Sequence, residues 1–226
     1  MNTNNSDETA TLLVSLGVNE AKLAVIDEKT EADEAPDEFK MLAVENFDQE
    51  TTFTATFYFS RIESESLSYV LRKYDAQLTW KDKSSSMRKQ TFFLIKSVII
   101  TLKEAFNLLQ GRSVYKEFSA STGEKYHAWV SLNLTKKDIH DNYEIEYIRS
   151  FQAFDLGRTL ANYPIQELQE EKSALRLIQS LLMGNTEFVN FIVGRKVEKV
   201  YIEANPQMKT INIYPAKRPT KKREKR

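Results

Sequence analysis

The chain has 226 residues, 41% of them hydrophobic and 28% charged, with 32 Lys and Arg against 32 Asp and Glu and no cysteine. A chain of this length buries roughly 70% of its unfolded surface, enough for one full core or two small ones without covalent staples. The missing cysteines exclude disulfide frameworks, thiolate zinc, iron–sulfur clusters and thiol catalysis, and 13 Phe with 10 Tyr exclude a wholly disordered chain.

The zero net charge hides a strong polarity. Residues 7–50 carry −10, residues 51–216 carry +4 and residues 217–226 carry +6. The start, MNTNNSDETA, has no basic stretch leading into an apolar one, so it does not read as a secretory signal. The most apolar run, Thr91 to Leu102, is interrupted by Lys96 and Ser97 and is far shorter than the roughly 20 residues a spanning helix needs. A cytoplasmic protein without membrane contact is expected.

Thr11 to Ile26 holds eight apolar residues, enough for a short helix or for a segment that docks on a partner. Asp27 to Glu38 (DEKTEADEAPDE) has no large apolar side chain to offset its ordering entropy, so it reads as a linker or disordered arm. The structured body then spans Phe39 to Tyr214. Thr52 to Ser60 alternates cleanly, with Phe53, Ala55, Phe57 and Phe59 on one face, the pattern of a half-buried strand. Ser68 to Trp80 and Gln90 to Ile100 are further strands, separated by a polar loop. Thr101 and Glu104 form a capping box. Leu102, Ala105, Phe106 and Leu109 follow helical spacing and Gly111 caps the end.

Ser113 to Phe118 and Tyr126 to Leu134 read as a hairpin, with Ala128, Val130, Leu132 and Leu134 toward the core and His127, Trp129, Ser131 and Asn133 on the exposed side. Tyr143 to Phe151 is the next strand. Asp155 caps a short helix that stops near Pro164, and Glu167 to Met183 reads as one longer helix with Leu168, Leu175 and Leu182 at sevenfold spacing, widened by Ala174, Ile178 and Leu181. Glu187 to Val193, Val197 to Ala204 and Thr210 to Tyr214 complete the strands. Strand runs followed by helices, without βαβ alternation, predict an α+β fold with mainly antiparallel sheets and two or three short helices. The expected organisation is an acidic arm (1–38), a strand-rich first half (39–111), an α+β second half (112–214) and a basic tail (215–226). Whether the halves form one domain or hinge near Gly111 stays open.

The segments KEAFNLLQGRSVY (103–115), GEKYHAWVSLNL (123–134), YPIQEL (163–168), Gly184-Asn185 and above all YIEANPQMKTINIY (201–214) together resemble an uncharacterised bacterial domain family. Its members occur in proteins of conjugative and other mobile elements of anaerobic Gram-negative bacteria. The likeness also takes in the strand at Thr52 to Phe59. Where the family has an aromatic-rich turn with glycine and aspartate, this chain reads SFQAFDL (150–156). The resemblance implies a mobile-element context beside DNA-processing proteins. It implies no activity and transfers no functional residue.

The residues themselves offer no catalytic set. His127 and His140 are the only histidines, and Asp138-Ile139-His140-Asp141 lacks a second ligand cluster, so it reads as a solvated loop rather than a metal site. No Gly-x-Ser-x-Gly elbow or phosphate-cradling glycine loop is present. The pairs Glu63 and Glu65, Glu144 and Glu146, and Glu170 and Glu171 read as solvated strand charge or first-turn helix charge. A non-catalytic protein without cofactor or metal is expected.

The basic tail is the strongest functional feature. Lys217, Arg218, Lys221, Lys222, Arg223, Lys225 and Arg226 form an arm that releases counterions on binding phosphates, giving weak, salt-sensitive contact with DNA or RNA. Such a tail also serves as a plain solubilising terminus. Arg112, Lys116, Lys125 and Arg149, with Tyr115, Tyr126, Trp129 and Tyr147, extend the tail into a basic-aromatic surface if their strands share a face. The expected function is thus an accessory module of a mobile element that binds nucleic acid or joins a nucleoprotein complex. The alternative is a protein-docking or inhibitory module with an incidental tail. The acidic arm reads either as an unstructured leader or as an electrostatic mask that folds onto the basic tail or a basic partner, with Thr11 to Ile26 as its apolar anchor.

Overall fold

The computed structural model describes residues 4–20, 23–24, 36–62, 69–82, 86–94, 98–120, 122–149 and 154–216. The fold is α+β, with every strand pair antiparallel. Strands β1 (Glu38–Glu45), β2 (Thr51–Arg61), β3 (Tyr69–Trp80) and β4 (Met87–Phe93) form one sheet in sequential order. Strands β5 (Val114–Ser119), β6 (Lys125–Lys137) and β7 (Tyr143–Arg149) form a second. A third runs β10-β9-β8, from β8 (Glu187–Val193), β9 (Lys196–Asn205) and β10 (Thr210–Pro215). The helices are α1 (Asn4–Leu16), α2 (Leu102–Leu109), α3 (Leu156–Leu160) and α4 (Glu171–Leu182). Among the described residues no helix is long and apolar enough to cross a membrane.

The alternation of β2 does what its sequence dictates: Phe53, Ala55, Phe57 and Phe59 are buried, each phenyl ring contributing about 1.5–3 kcal/mol. Helix α2 starts on the capping box, the Thr101 hydroxyl accepting from Glu104 N at 3.3 Å and the Glu104 carboxylate accepting from Thr101 N at 2.8 Å. Gly111, at φ +90°, ends it.

Four elements depart from the sequence reading. Strand β1 turns Phe39, Met41 and Ala43 inward, but Leu42 and Val44 on its outer face are apolar too, so the alternation does not announce itself beside an acidic arm. Strand β4 ends at Phe93, and Val98 and Ile100 pack on the core outside the ladder. Helix α1 begins at Asn4, and the apolar residues read as a partner anchor dock on the body instead. Leu13 and Leu16 are buried, and the Thr9 hydroxyl donates to the Tyr69 carbonyl at 3.2 Å. The single helix expected over Glu167 to Met183 is split. Gln166–Gln169 is a 3₁₀ turn, Glu170 is extended, and α4 begins afresh at Glu171. Leu177 and Leu181 of α4 are buried and Ile178 and Leu182 pack beside them, whereas Leu175 is 53% exposed.

Two apolar cores share the middle sheet. The first gathers α1, the inner face of β1–β4, α2, and Val114, Phe118, Ala128, Val130 and Leu132 of the second sheet, so it runs across Gly111. The second packs Trp129, Phe154 and Leu160 with Leu177 and Leu181 of α4 and Val189, Ile202 and Ile211 of the third sheet. Strand β6 is therefore buried on both faces. Its two-residue period remains, but the face read as exposed is the floor of the second core. The acidic stretch 25–35 and the tail 217–226 lie outside the described residues.

Candidate nucleic-acid interface

Among the described residues the third sheet leaves one face partly open. Val189, Val200, Ile202, Ala204 and Ile211 point into the second core, so the alternate residues of the same strands point outward. The register sets Phe188 opposite Tyr201 and Tyr201 opposite Tyr214, which places one aromatic side chain per strand in a row across all three strands. They are 45%, 42% and 44% exposed. The Phe188 and Tyr201 rings lie 5.0 Å apart, and Lys199 Nζ sits 5.7 Å from the Phe188 ring. The Tyr214 hydroxyl donates to Glu203 Oε1 at 2.6 Å, and Asn212 Nδ2 donates to the same oxygen at 2.8 Å. Burial and the Glu203 carboxylate push the Tyr214 phenol up to about 12, so it stays neutral and held in place at physiological pH.

The turn that aligns the row is the NPQMK stretch. Asn205 Oδ1 accepts from Met208 N at 3.1 Å, Lys209 closes the turn at φ +53°, and Gln207 Nε2 donates to Glu146 Oε2 at 2.8 Å, tying the hairpin to the middle sheet. This turn joins β9 and β10, the two strands that carry Tyr201 and Tyr214. Strand β10 ends at Pro215, two positions in sequence before the first tail cation, Lys217.

A polar cleft of about 380 Å³ lies between α2 and the start of β8, lined by Phe47, Asp48, Lys103, Arg112, Thr186 and Glu187 among others. Arg112 donates from Nη2 to Asn107 Oδ1 at 2.7 Å and from Nη1 to Thr186 Oγ1 at 3.3 Å, while among the described residues its buried Nε–H has no partner. Lys103 Nζ rests 4.6 Å from the Phe106 ring and 4.9 Å from the Phe47 ring. Burial, with the Arg112 charge next, pushes the Lys103 ammonium down, and burial does the same to Arg112. Among the described residues neither cation forms an ion pair. The cleft carboxylates have other work: Asp48 accepts from Glu50 N, Thr51 and Gln110, and Glu187 accepts from the Ser180 hydroxyl. Arg112 is close enough to Glu203 and Tyr214 to act on them electrostatically, so the cleft borders the aromatic sheet.

The basic-aromatic surface read from the hairpin is divided between the two faces of the middle sheet. Lys116 pairs with Ala128, and Ala128 with Arg149, so these two cations share a face with Tyr126 and Tyr147; Tyr115 and Trp129 occupy the opposite one. Trp129 is 2% exposed, tilted against Tyr115 and Phe154, and among the described residues its indole N–H has no partner. Lys116 is consumed by Glu104, at 2.9 and 3.0 Å. Of Arg112, Lys116 and Trp129, only Arg112 reaches a cleft as an unpaired cation. The seven tail cations lie outside the described residues. In the DIHD loop, Asp138 Oδ1 accepts from His140 N and Asn142 N, and among the described residues no three His, Cys, Asp or Glu converge as a metal site would require. Half-exposed His127 stacks on Tyr115 with Nε2 3.9 Å from Glu117.

The sequence reading missed Phe188, Tyr201 and Tyr214. Each was visible as an out-facing aromatic of a short strand, but their alignment depends on register. No family model matches the chain, and no curated protein or solved structure matches it either.

Proposed function

We propose that the protein is a non-catalytic module that binds single-stranded nucleic acid without sequence preference, in the nucleoprotein machinery of a bacterial mobile element. The observation that carries this reading is the exposed row Phe188, Tyr201 and Tyr214 on strands leading into a seven-cation tail. Aromatic rings on an open antiparallel sheet stack bases of any identity, and cations along the path take the phosphates. Lys103 and Arg112 supply two more cations at the sheet border. The mobile-element context rests on the family resemblance of residues 201–214. A protein-docking role is the second reading, favoured by β10 being an edge strand open to strand addition.

Fluorescence anisotropy of a labelled oligothymidylate and a labelled duplex, at two salt concentrations, tests the proposal. With seven phosphates neutralised by the tail, log affinity for the single strand falls with log salt at a slope of roughly −5. Replacing all seven tail cations by glutamine flattens that slope. Tyr201→Ala weakens the single-strand complex by about 5- to 150-fold, the worth of one stacked base. If neither change alters binding, or if the native chain binds no strand at low salt, the nucleic-acid reading fails and the docking reading takes its place.

A further inference from the structure

The face of the middle sheet turned to the first core does not close completely against the first sheet. Between β4 and β5–β7 lies a half-open cavity of about 360 Å³, within the usual range for small-molecule sites of roughly 300–1,000 Å³. Its walls come from Phe92, Val98 and Ile100 on one side and Phe118, Val130 and Leu132 on the other. Large apolar side chains stand at its rim: Phe93 is 61% exposed, and Tyr147 and Ile145 are exposed beside it. Well-packed interiors rarely leave a void of this size, and water gains little in one with so few polar partners.

Apart from Thr91, which hydrogen-bonds to Asp75 and Asn142, the polar lining is confined to one region. Arg149 lies over the Tyr126 ring, Cζ 4.9 Å from its centroid, and Tyr126 stacks on Phe118 while Tyr147 meets Phe118 edge-on. Among the described residues the Arg149 guanidinium has no carboxylate and no hydrogen-bond acceptor, and the Tyr126 and Tyr147 hydroxyls also make no hydrogen bond. Burial holds the Tyr147 phenol above its ordinary range, so it stays a donor at neutral pH. An arginine stacked flat on an aromatic ring keeps its N–H edge free for bidentate recognition of a carboxylate.

We propose that this cavity binds a small amphiphile with an unbranched apolar body and one carboxylate head, the body between β4 and the β6 residues Val130 and Leu132 and the head on Arg149. The cavity offers too few donors and acceptors for a sugar or a nucleotide, whose polar groups would be left unpaired. The site lies on the opposite face of the middle sheet from the second core, away from the aromatic row, so it stands or falls independently of nucleic-acid binding.

Isothermal titration of the full chain with dodecanoate and with dodecanol, both kept below aggregation, tests it. One saturable site for dodecanoate is expected. Arg149→Gln, at an exposed position, weakens dodecanoate about tenfold or more and leaves dodecanol unchanged. Ile145→Trp, at the rim, weakens both ligands. Absence of saturable binding to the native chain overturns the proposal, as does a fully folded Arg149→Gln chain that retains native dodecanoate affinity. Should Ile145→Trp fail to fold, the contrast between the two ligands in Arg149→Gln decides alone.

Discussion

Replacing Trp129 with alanine separates a core residue from a surface one by free energy alone. The indole is 2% exposed, and its ring lies 5.1 Å from Tyr115 and 5.5 Å from Phe154, where the middle sheet meets the second core. Truncating a buried tryptophan to alanine costs about 3–5 kcal/mol, lost aromatic pairing included. For a chain of this length each kcal/mol shifts the midpoint by about 2–4 °C, so Tm falls by roughly 6–20 °C. Trp129→Phe gives a sharper contrast. It keeps most of the apolar contact and removes the indole N–H, which is buried without a partner among the described residues and itself costs about 1–3 kcal/mol. The phenylalanine variant should therefore lose less than about 1.5 kcal/mol. Urea unfolding followed by circular dichroism measures both. An alanine variant within about 0.5 kcal/mol of the native chain, the figure for an exposed side chain, would refute the buried placement.

Thr101→Ala removes one half of the capping box of α2 and should cost about 0.5–2 kcal/mol in urea denaturation, with Thr101→Ser close to native. Gly184→Ala should destabilise by more than about 1 kcal/mol, because the glycine sits at φ +79° and a Cβ would meet the Ser113 carbonyl oxygen at 2.8 Å. Tyr214 predicts an alkaline effect. Its phenol is raised to about 12, by burial first and then by Glu203, from 10.0. The folded state therefore keeps a proton that the unfolded chain releases. This contribution is full below about pH 10 and is lost as pH rises toward 12. Ultraviolet phenol titration of Glu203→Gln should show one tyrosine ionising at lower pH than in the native chain, and an unchanged titration curve would contradict the Glu203 contact.

Where one local rule governed a segment, the sequence announced it. The period of β2, the capping box and glycine stop of α2, the Asp155 cap of α3 and the β8–β10 strands all depend on residues a few positions apart. Strand β1 was hidden because apolar Leu42 and Val44 on its outer face blur the alternation of Phe39, Met41 and Ala43 on its inner one. The α4 stripe was misread because its sevenfold spacing was counted from Leu168, which the extended Glu170 places outside the helix, and no single residue type marks that break. Arg112 was named from its charge, but its placement between Asn107 and Thr186 joins residues 74 positions apart in sequence.

Trp129 and Tyr201 mark the boundary between the two kinds of knowledge. Both are aromatic residues on alternating strands, and sequence alone establishes that each points away from its strand's aliphatic neighbours. The sequence determined the α+β class, the charge polarity and the alternation of individual strands, because these follow from side-chain chemistry and a backbone period of two. Only the tertiary structure decided which second face meets solvent. The α3–α4 layer and the third sheet cover Trp129, whereas among the described residues nothing covers Tyr201. Burial is a property of what packs on a face, and residues distant in sequence supply that packing.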